Sequence, residues 1–221
     1  MSTVVAVPVK DLVNAKQRLM SFLSPLERGE LARTMLEDVL EALVCARLGA
    51  VLVVTRDPSV QALACRHGVD ILSEDDNRGH TEAVARAQQA ALARRATRFL
   101  TIPGDVPCTT AEEVATLAAA LPRGPGVAFV PSLSGFGTNA ALLAPPDILP
   151  LKFGEPSFDN HLLAARSAGL SPVVVRLPGN GLDIDAPEDL RLLLEHGATT
   201  RSARLLVDLG VPARLAERAG G

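Results

Sequence analysis

The feature that most constrains this 221-residue chain is a repeated switch of hydrophobic period. Short runs rich in Val, Ile and Ala at Thr3–Val9, Ala50–Thr55, Val69–Leu72, Arg98–Ile102, Val127–Val130 and Pro172–Leu177 read as buried strands. Helical patterns separate most of them: Ser59–His67 stopped by Gly68, an Ala-rich stretch over Thr81–Ala96, and Thr110–Ala120 with Glu113 completing a capping box. Such alternation buries its apolar faces as a largely parallel sheet between helices, so the expected fold class is α/β. Ligands are then expected at the carboxyl ends of the strands, in the loops that follow them.

The first long helix has a marked start, with Ser24 as N-cap, Pro25 at the first helical position and Glu27 three residues after the cap. Leu26, Leu31, Met35, Val39 and Leu43 are expected on its buried face. Leu121–Gly126 reads as a surface turn. Ser132–Thr138 and Ala144–Ser157 read as irregular loops joined by the apolar run Ala140–Leu143, the sort of segment that covers a substrate. Phe158–Ala168 and Pro187–His196 predict further helices, and a weaker one near Arg201–Leu209 falls in a helical tail from about 199 to 221. A single domain over 1–221 is expected, since 48% hydrophobic residues suffice for one core.

Composition narrows the partners. With 22 Lys plus Arg against 25 Asp plus Glu there is no polycationic face for nucleic acid, and no apolar run is long enough to span a bilayer. Three cysteines without a CxxC spacing or a secretory leader point to a reducing cytoplasm. Trp and Tyr are absent, so a bound base would be read mainly by polar and backbone groups.

Three post-strand segments carry chemistry. Val7-Pro8-Val9-Lys10, followed by Asn14-Ala15-Lys16-Gln17-Arg18, clusters cations where phosphates would sit: Arg18 can engage phosphate oxygens bidentately and Lys16 acts as a point charge. Pro103-Gly104-Asp105-Val106-Pro107 places one hard carboxylate at a strand end, suited to Mg²⁺ and the phosphates it bridges. In Asp183-Ile184-Asp185 the period of two directs both carboxylates to one side of an extended segment. Asp183 is the stronger ligand candidate. Asp185 is either a ligand or the cap of the next helix, with Glu188 as capping-box partner.

Gly135-Phe136-Gly137-Thr138-Asn139-Ala140 matches a dinucleotide fingerprint in letters only, because Pro145-Pro146 leaves no room for the helix that motif must open. A flexible glycine loop offering Thr138 and Asn139 to an anion is the expectation. Phe153-Gly154-Glu155-Pro156-Ser157 leads into a helix whose N-terminus, with Ser157, suits a phosphate or carboxylate, and His161 one turn on could face the same anion. Cys108 reads as a small packed side chain.

Taken in order, these segments resemble the CofC/FbiD guanylyltransferases of coenzyme F420 biosynthesis. The likeness rests on Val7–Lys10, Ala15–Leu19, Leu23–Arg28, Met35–Leu40, Pro103–Asp105, Gly137–Asn139, Phe153-Gly154 with Ser157 and His161, and Asp183–Leu190. It implies a single-domain Rossmann-like nucleotidyltransferase with a mainly parallel mixed sheet, and transfer of GMP from GTP to a phosphorylated three-carbon acid with release of pyrophosphate. It further implies that Asp105 and Asp183 hold the metal, expected to be Mg²⁺, with Asp185 added as a third candidate ligand by the spacing of the acidic segment. Thr138, Asn139, Gly154, Ser157 and His161 would serve the acid, and Pro8, Lys10, Lys16, Arg18, Gly79 and Gly104 the nucleotide. One departure stands out: Gly79-His80-Thr81-Glu82 replaces an expected Gly-Leu-Asn, which bears on base recognition. A metal-dependent glycosyltransferase of related fold and a non-catalytic GTP-binding regulator are the rival readings. The acid could be 2-phospho-L-lactate, phosphoenolpyruvate or 3-phospho-D-glycerate, and the oligomeric state, a homodimer included, is open.

Overall fold

The computed structural model describes residues 2–12, 15–74, 78–121 and 124–219. Among the described residues seven strands form one sheet: β1 (Thr3–Pro8), β2 (Gly49–Thr55), β3 (Asp70–Ser73), β4 (Arg98–Thr101), β5 (Gly126–Pro131), β6 (Thr138–Ala144) and β7 (Val173–Val174), in spatial order β3-β2-β1-β4-β6-β5-β7. Strands β1 to β4 run parallel, β6 runs antiparallel to both β4 and β5, and β7 rejoins β5 in parallel. The chain moves outward from β1 through β2 and β3, then returns to the other side of β1 as β4. Strand order therefore reverses between β1 and β4, and the crevice beyond their carboxyl ends is where this class of sheet binds ligands.

Alternate residues of each strand feed two cores. Val5, Val7, Val51, Val53 and Leu100 meet Leu36, Val39, Leu40 and Leu43 of helix α1 (Pro25–Ala46), with α2 (Pro58–Arg66) and α4 (Ala111–Ala119) on the same face. Val4, Ala6, Leu52, Val54, Phe99 and Phe129 meet α3 (His80–Ala93) and α5 (Ser157–Ser167) on the other. A third core lies beside the sheet. There Leu19, Leu23, Leu31 and Met35 pack against Leu182, Ile184, α7 (Pro187–His196), α8 (Arg201–Asp208) and α9 (Val211–Ala219). The C-terminal helices thus share a core with the segment that carries Asp183 and Asp185.

Three expectations are corrected. Leu26 is 86% exposed. Five residues before Leu31 it points about 140° away from that side chain on a helix of 3.6 residues per turn, and the buried face begins at Arg28. Thr138 and Asn139 lie not in a flexible loop but at the start of β6, a fully buried strand that the short run Ala140–Leu143 only hinted at. The expected strand Pro172–Leu177 narrows to Val173–Val174 at the sheet edge, where both residues are exposed. Asn14, and Pro122 and Arg123 of the expected turn, lie outside the described residues.

Candidate active site

The loop after β4 and the segment before α7 meet directly: the Ile184 N–H donates to the Asp105 carbonyl at 3.1 Å, which joins two acidic stretches some 80 residues apart in sequence. Their carboxylates converge on one cation. Lys16 Nζ lies 2.6 Å from Asp105 Oδ2 and 2.7 Å from Asp185 Oδ1, and its side chain is only 8% exposed. Burial works against the charge of both partners. Even so, attraction between them raises the Lys16 pKa and holds the Asp105 carboxyl below the ordinary carboxylate range. Asp183 goes the other way. Burial pushes its pKa up, the repulsion of Asp105 and Asp185 adds to that, and a 3.0 Å hydrogen bond from Asn139 Nδ2 opposes it.

Local structure fixes each of these groups. Lys16 has left-handed backbone (φ 53°, ψ 46°) at the entry to a 3-10 turn over Gln17–Leu19. The buried guanidinium of Arg28 holds that turn by donating to the carbonyls of Ala15 and Leu23. Asp57 receives the Leu12 N–H at 3.0 Å, tying the same loop to the end of β2. On the other side, Glu113 of α4 accepts the N–H groups of Gly179 and Asn180 in the short helix α6 (Pro178–Gly181), which leads into Asp183. A β-carbon on Gly179 would lie 2.1 Å from the Cys108 carbonyl oxygen, so only glycine permits this approach. Asn139 Nδ2 reaches the carbonyls of Asn180 and Gly181 as well as Asp183, and so positions a carboxylate. Asp185 does not cap α7. Its own N–H and that of Ala186 are taken by the Asp189 carboxylate, one residue beyond the expected partner Glu188, and this leaves the Asp185 carboxylate free for Lys16.

These residues border a cavity of about 450 Å³ lined by Pro8, Lys10, Lys16, His80, Gly104 and Asp105, among others. Pro8, Lys10, Lys16, Gly104, Asp105 and Asp185 are thus brought together as expected. Arg18 is exposed and is not among the lining residues, while Gly79 caps α3 with φ 97°. His80 was not singled out as a site residue, yet it lines the cavity. Burial, opposed by the Asp105 charge, lowers its pKa to about 4, and its ring meets Phe153 edge-on at 4.4 Å. The sequence signal was available, since His80 is the residue that breaks the expected Gly-Leu-Asn. Cys108 packs against the third core, and burial pushes its thiol up to about 11.

Phe153 links the cavity to a second polar cluster. Its ring lies 5.1 Å from that of His161, and its N–H donates to Thr81 Oγ1 at 2.9 Å. His161 is 1% exposed. Its Nε2 accepts the Lys152 N–H at 3.0 Å, so in the neutral ring Nδ1 carries the proton and donates to Thr138 Oγ1 at 2.9 Å. Ser157 Oγ receives the Thr138 N–H at 3.0 Å. Both nitrogens of His161 are therefore used within the protein, and the ring orients the Thr138 hydroxyl. Burial lowers the His161 pKa from 6.5 to about 4. Between those values the unfolded chain takes up a proton that the folded one does not, so stability falls as pH drops through this window, by up to about 3 kcal/mol from this group. His80 acts in the same window and direction. Urea midpoints between pH 7 and pH 4 should fall less steeply for His161→Asn than for the wild type. Parallel profiles would contradict the assignment.

Among the described residues no group of three or more His, Cys, Asp or Glu is arranged to hold a metal ion. Two carboxylate oxygens nonetheless approach one point to within 2.7 Å, with a third carboxylate in electrostatic reach of both. That donor set fits Mg²⁺, which uses one or two protein carboxylates and completes its shell with water and phosphate oxygens.

Solved structures share the architecture. A putative nucleotide-diphospho-sugar transferase from Desulfovibrio desulfuricans G20 superposes with a TM-score of 0.80 at 16% identity, covering 97% of this chain and 99% of that one. A nucleotidyl transferase from Methanothermobacter gives 0.63 at 20% identity, covering 90% and 98%. The fold is one shared with nucleotidyltransferases, and the carboxylates stand at the carboxyl-end crevice where open α/β sheets bind ligands. The family model described as guanylyl transferase CofC like matches residues 3–220. A phosphoenolpyruvate guanylyltransferase of Sphaerobacter thermophilus is 40% identical over 92% of this chain and 98% of its own length, and a 2-phospho-L-lactate guanylyltransferase of Methanothermobacter thermautotrophicus is 34% identical over 93% and 90%. The chain belongs to the CofC-like guanylyl transferase family and is a nucleotidyltransferase.

Proposed function

We propose that this enzyme joins GMP from GTP to a phosphorylated three-carbon acid and releases pyrophosphate, as a step in coenzyme F420 biosynthesis in the cytoplasm. The observation that carries the reading is the convergence of Asp105 and Asp185 beside a cavity lined by Lys10, Lys16 and His80. GTP occupies that cavity, with its triphosphate toward Lys10 and Lys16; exposed Arg18 would reach it only from outside. The acid lies beyond Phe153, where Thr138, Ser157 and the Gly154 loop offer hydroxyl and N–H donors to its carboxylate and phosphate. His161 fixes the direction of the Thr138 hydroxyl without touching substrate.

In the reaction a phosphate oxygen of the acid attacks the α-phosphorus of GTP, the bond from that phosphorus to the bridging oxygen breaks, and pyrophosphate leaves. The attacking oxygen is ionised at neutral pH, so no protein base is required. Mg²⁺, held by Asp105 and Asp185 with Asp183 beside them, would supply charge neutralisation at the phosphates. Lys16 and Lys10 stabilise the charge that develops on the leaving pyrophosphate.

Phosphoenolpyruvate is the preferred acid in this proposal, because several of the relatives carry that name. Incubation with GTP and each of the three acids, followed by mass measurement of the products, tests it. Pyrophosphate and a guanylylated acid are expected. Release of GDP would indicate transfer chemistry of another kind and overturn the proposal.

A further inference from the structure

The contact between Lys16 and the carboxylates bears on how the site is loaded. The Lys16 ammonium sits where two carboxylate oxygens converge, 2.6 and 2.7 Å from them. A divalent cation held by the same oxygens would place two or more positive charges within a few ångströms of the ammonium, and like charges at that separation do not share one position. The two cations are therefore mutually exclusive at this point.

The lysine is also built to move without its backbone. Its main chain is pinned in left-handed conformation, with the Ala15 carbonyl held by buried Arg28 and the Lys16 carbonyl held by the Leu19 N–H at 2.9 Å. A lysine gains nothing locally from that conformation, which favours glycine or asparagine, so the surrounding contacts impose it. Its four-carbon side chain can turn from carboxylate to phosphate about this fixed point.

We propose that Lys16 is an exchangeable counter-ion. In the cation-free protein its ammonium holds the place between Asp105 and Asp185, and a divalent cation entering with the triphosphate displaces it onto the phosphates. This rests on the reading of the cavity as a nucleotide site. Its consequence is that the protein binds a bare divalent cation poorly and a cation–nucleotide pair well, because only the nucleotide gives Lys16 a new partner.

Mn²⁺ binding to the whole protein, followed by electron paramagnetic resonance without nucleotide, separates the possibilities. Lys16→Met and Lys16→Gly should bind Mn²⁺ at least about tenfold tighter than the wild type. With GTP present the order should invert. Lys16→Gly suits the positive φ, so a folding defect of the Met variant would leave the test intact. Unchanged or weaker Mn²⁺ affinity in the variants would overturn the exchange, as would the absence of Mn²⁺ binding in every form. Failure of the functional reading would be seen separately, as a missing guanylylated product from wild-type protein.

Discussion

Asp105→Asn is expected to lower kcat/KM for guanylyl transfer by about 10²- to 10³-fold, the scale of removing one element of an electrostatic clamp on a phosphoryl group. The same change should lower the melting temperature of the cation-free protein only modestly: the Asp105 charge is favourably paired with Lys16, but Lys16 keeps Asp185 as a partner at 2.7 Å. Asp105 and Asp185 pair with Lys16, whereas Asp183 is held by Asn139, and its raised pKa records burial together with repulsion from Asp105 and Asp185. Removing one carboxylate relieves repulsion, while the main-chain bond from Ile184 to residue 105 survives. A large loss of stability with proportionate loss of activity would instead make Asp105 a structural residue.

The second large effect concerns stability. Asp38 on α1 accepts three hydrogen bonds at the start of α8, from the Arg201 N–H (2.9 Å), the Ser202 N–H (2.9 Å) and the Ser202 hydroxyl (2.6 Å), and Ser202 is fully buried. Asp38→Ala strands these donors and removes a negative charge from a helix N-terminus. The expected loss is about 2–4 kcal/mol, read from the urea midpoint. Helix α8 supplies Ala203 and Leu206 to the core that also holds Leu182 and Ile184, so activity should fall as the segment carrying Asp183 and Asp185 loosens. Asp38→Asn keeps part of the acceptor capacity and should lose less. A midpoint within about 0.5 kcal/mol of wild type for Asp38→Ala would show that the C-terminal helices are held by other contacts.

Features written in local sequence were legible without the structure. Ser24, Pro25 and Glu27 placed the start of α1, and the β-branched runs placed β1 to β5 within a residue or two. Strand β6 was not legible, because Thr138–Ala144 is buried on both faces, so it shows no alternation, and its run of Ala and Leu carries no β-branched signal. The choice between cap and ligand for Asp185 turned on one residue: the helix takes Asp189 as its acidic partner, which side-chain spacing alone does not distinguish from Glu188. For the site itself, the types of residue were readable and their pairing was not. Lys16 meets partners 89 and 169 positions away, and Asn139, read as a substrate contact, positions Asp183 across 44. Contacts of that span are set by strand order and by the third core, and no local period encodes them.

The central claim, that Asp105 and Asp185 act on the reaction through one shared cation position, is tested most directly by a double-mutant cycle on GTP turnover with phosphoenolpyruvate. If the two carboxylates share one ion, Asp105→Asn, Asp185→Asn and the double variant should all lose activity, the double falling within about tenfold of the weaker single variant. Losses that multiply in the double variant would contradict the shared site and assign the two aspartates independent roles.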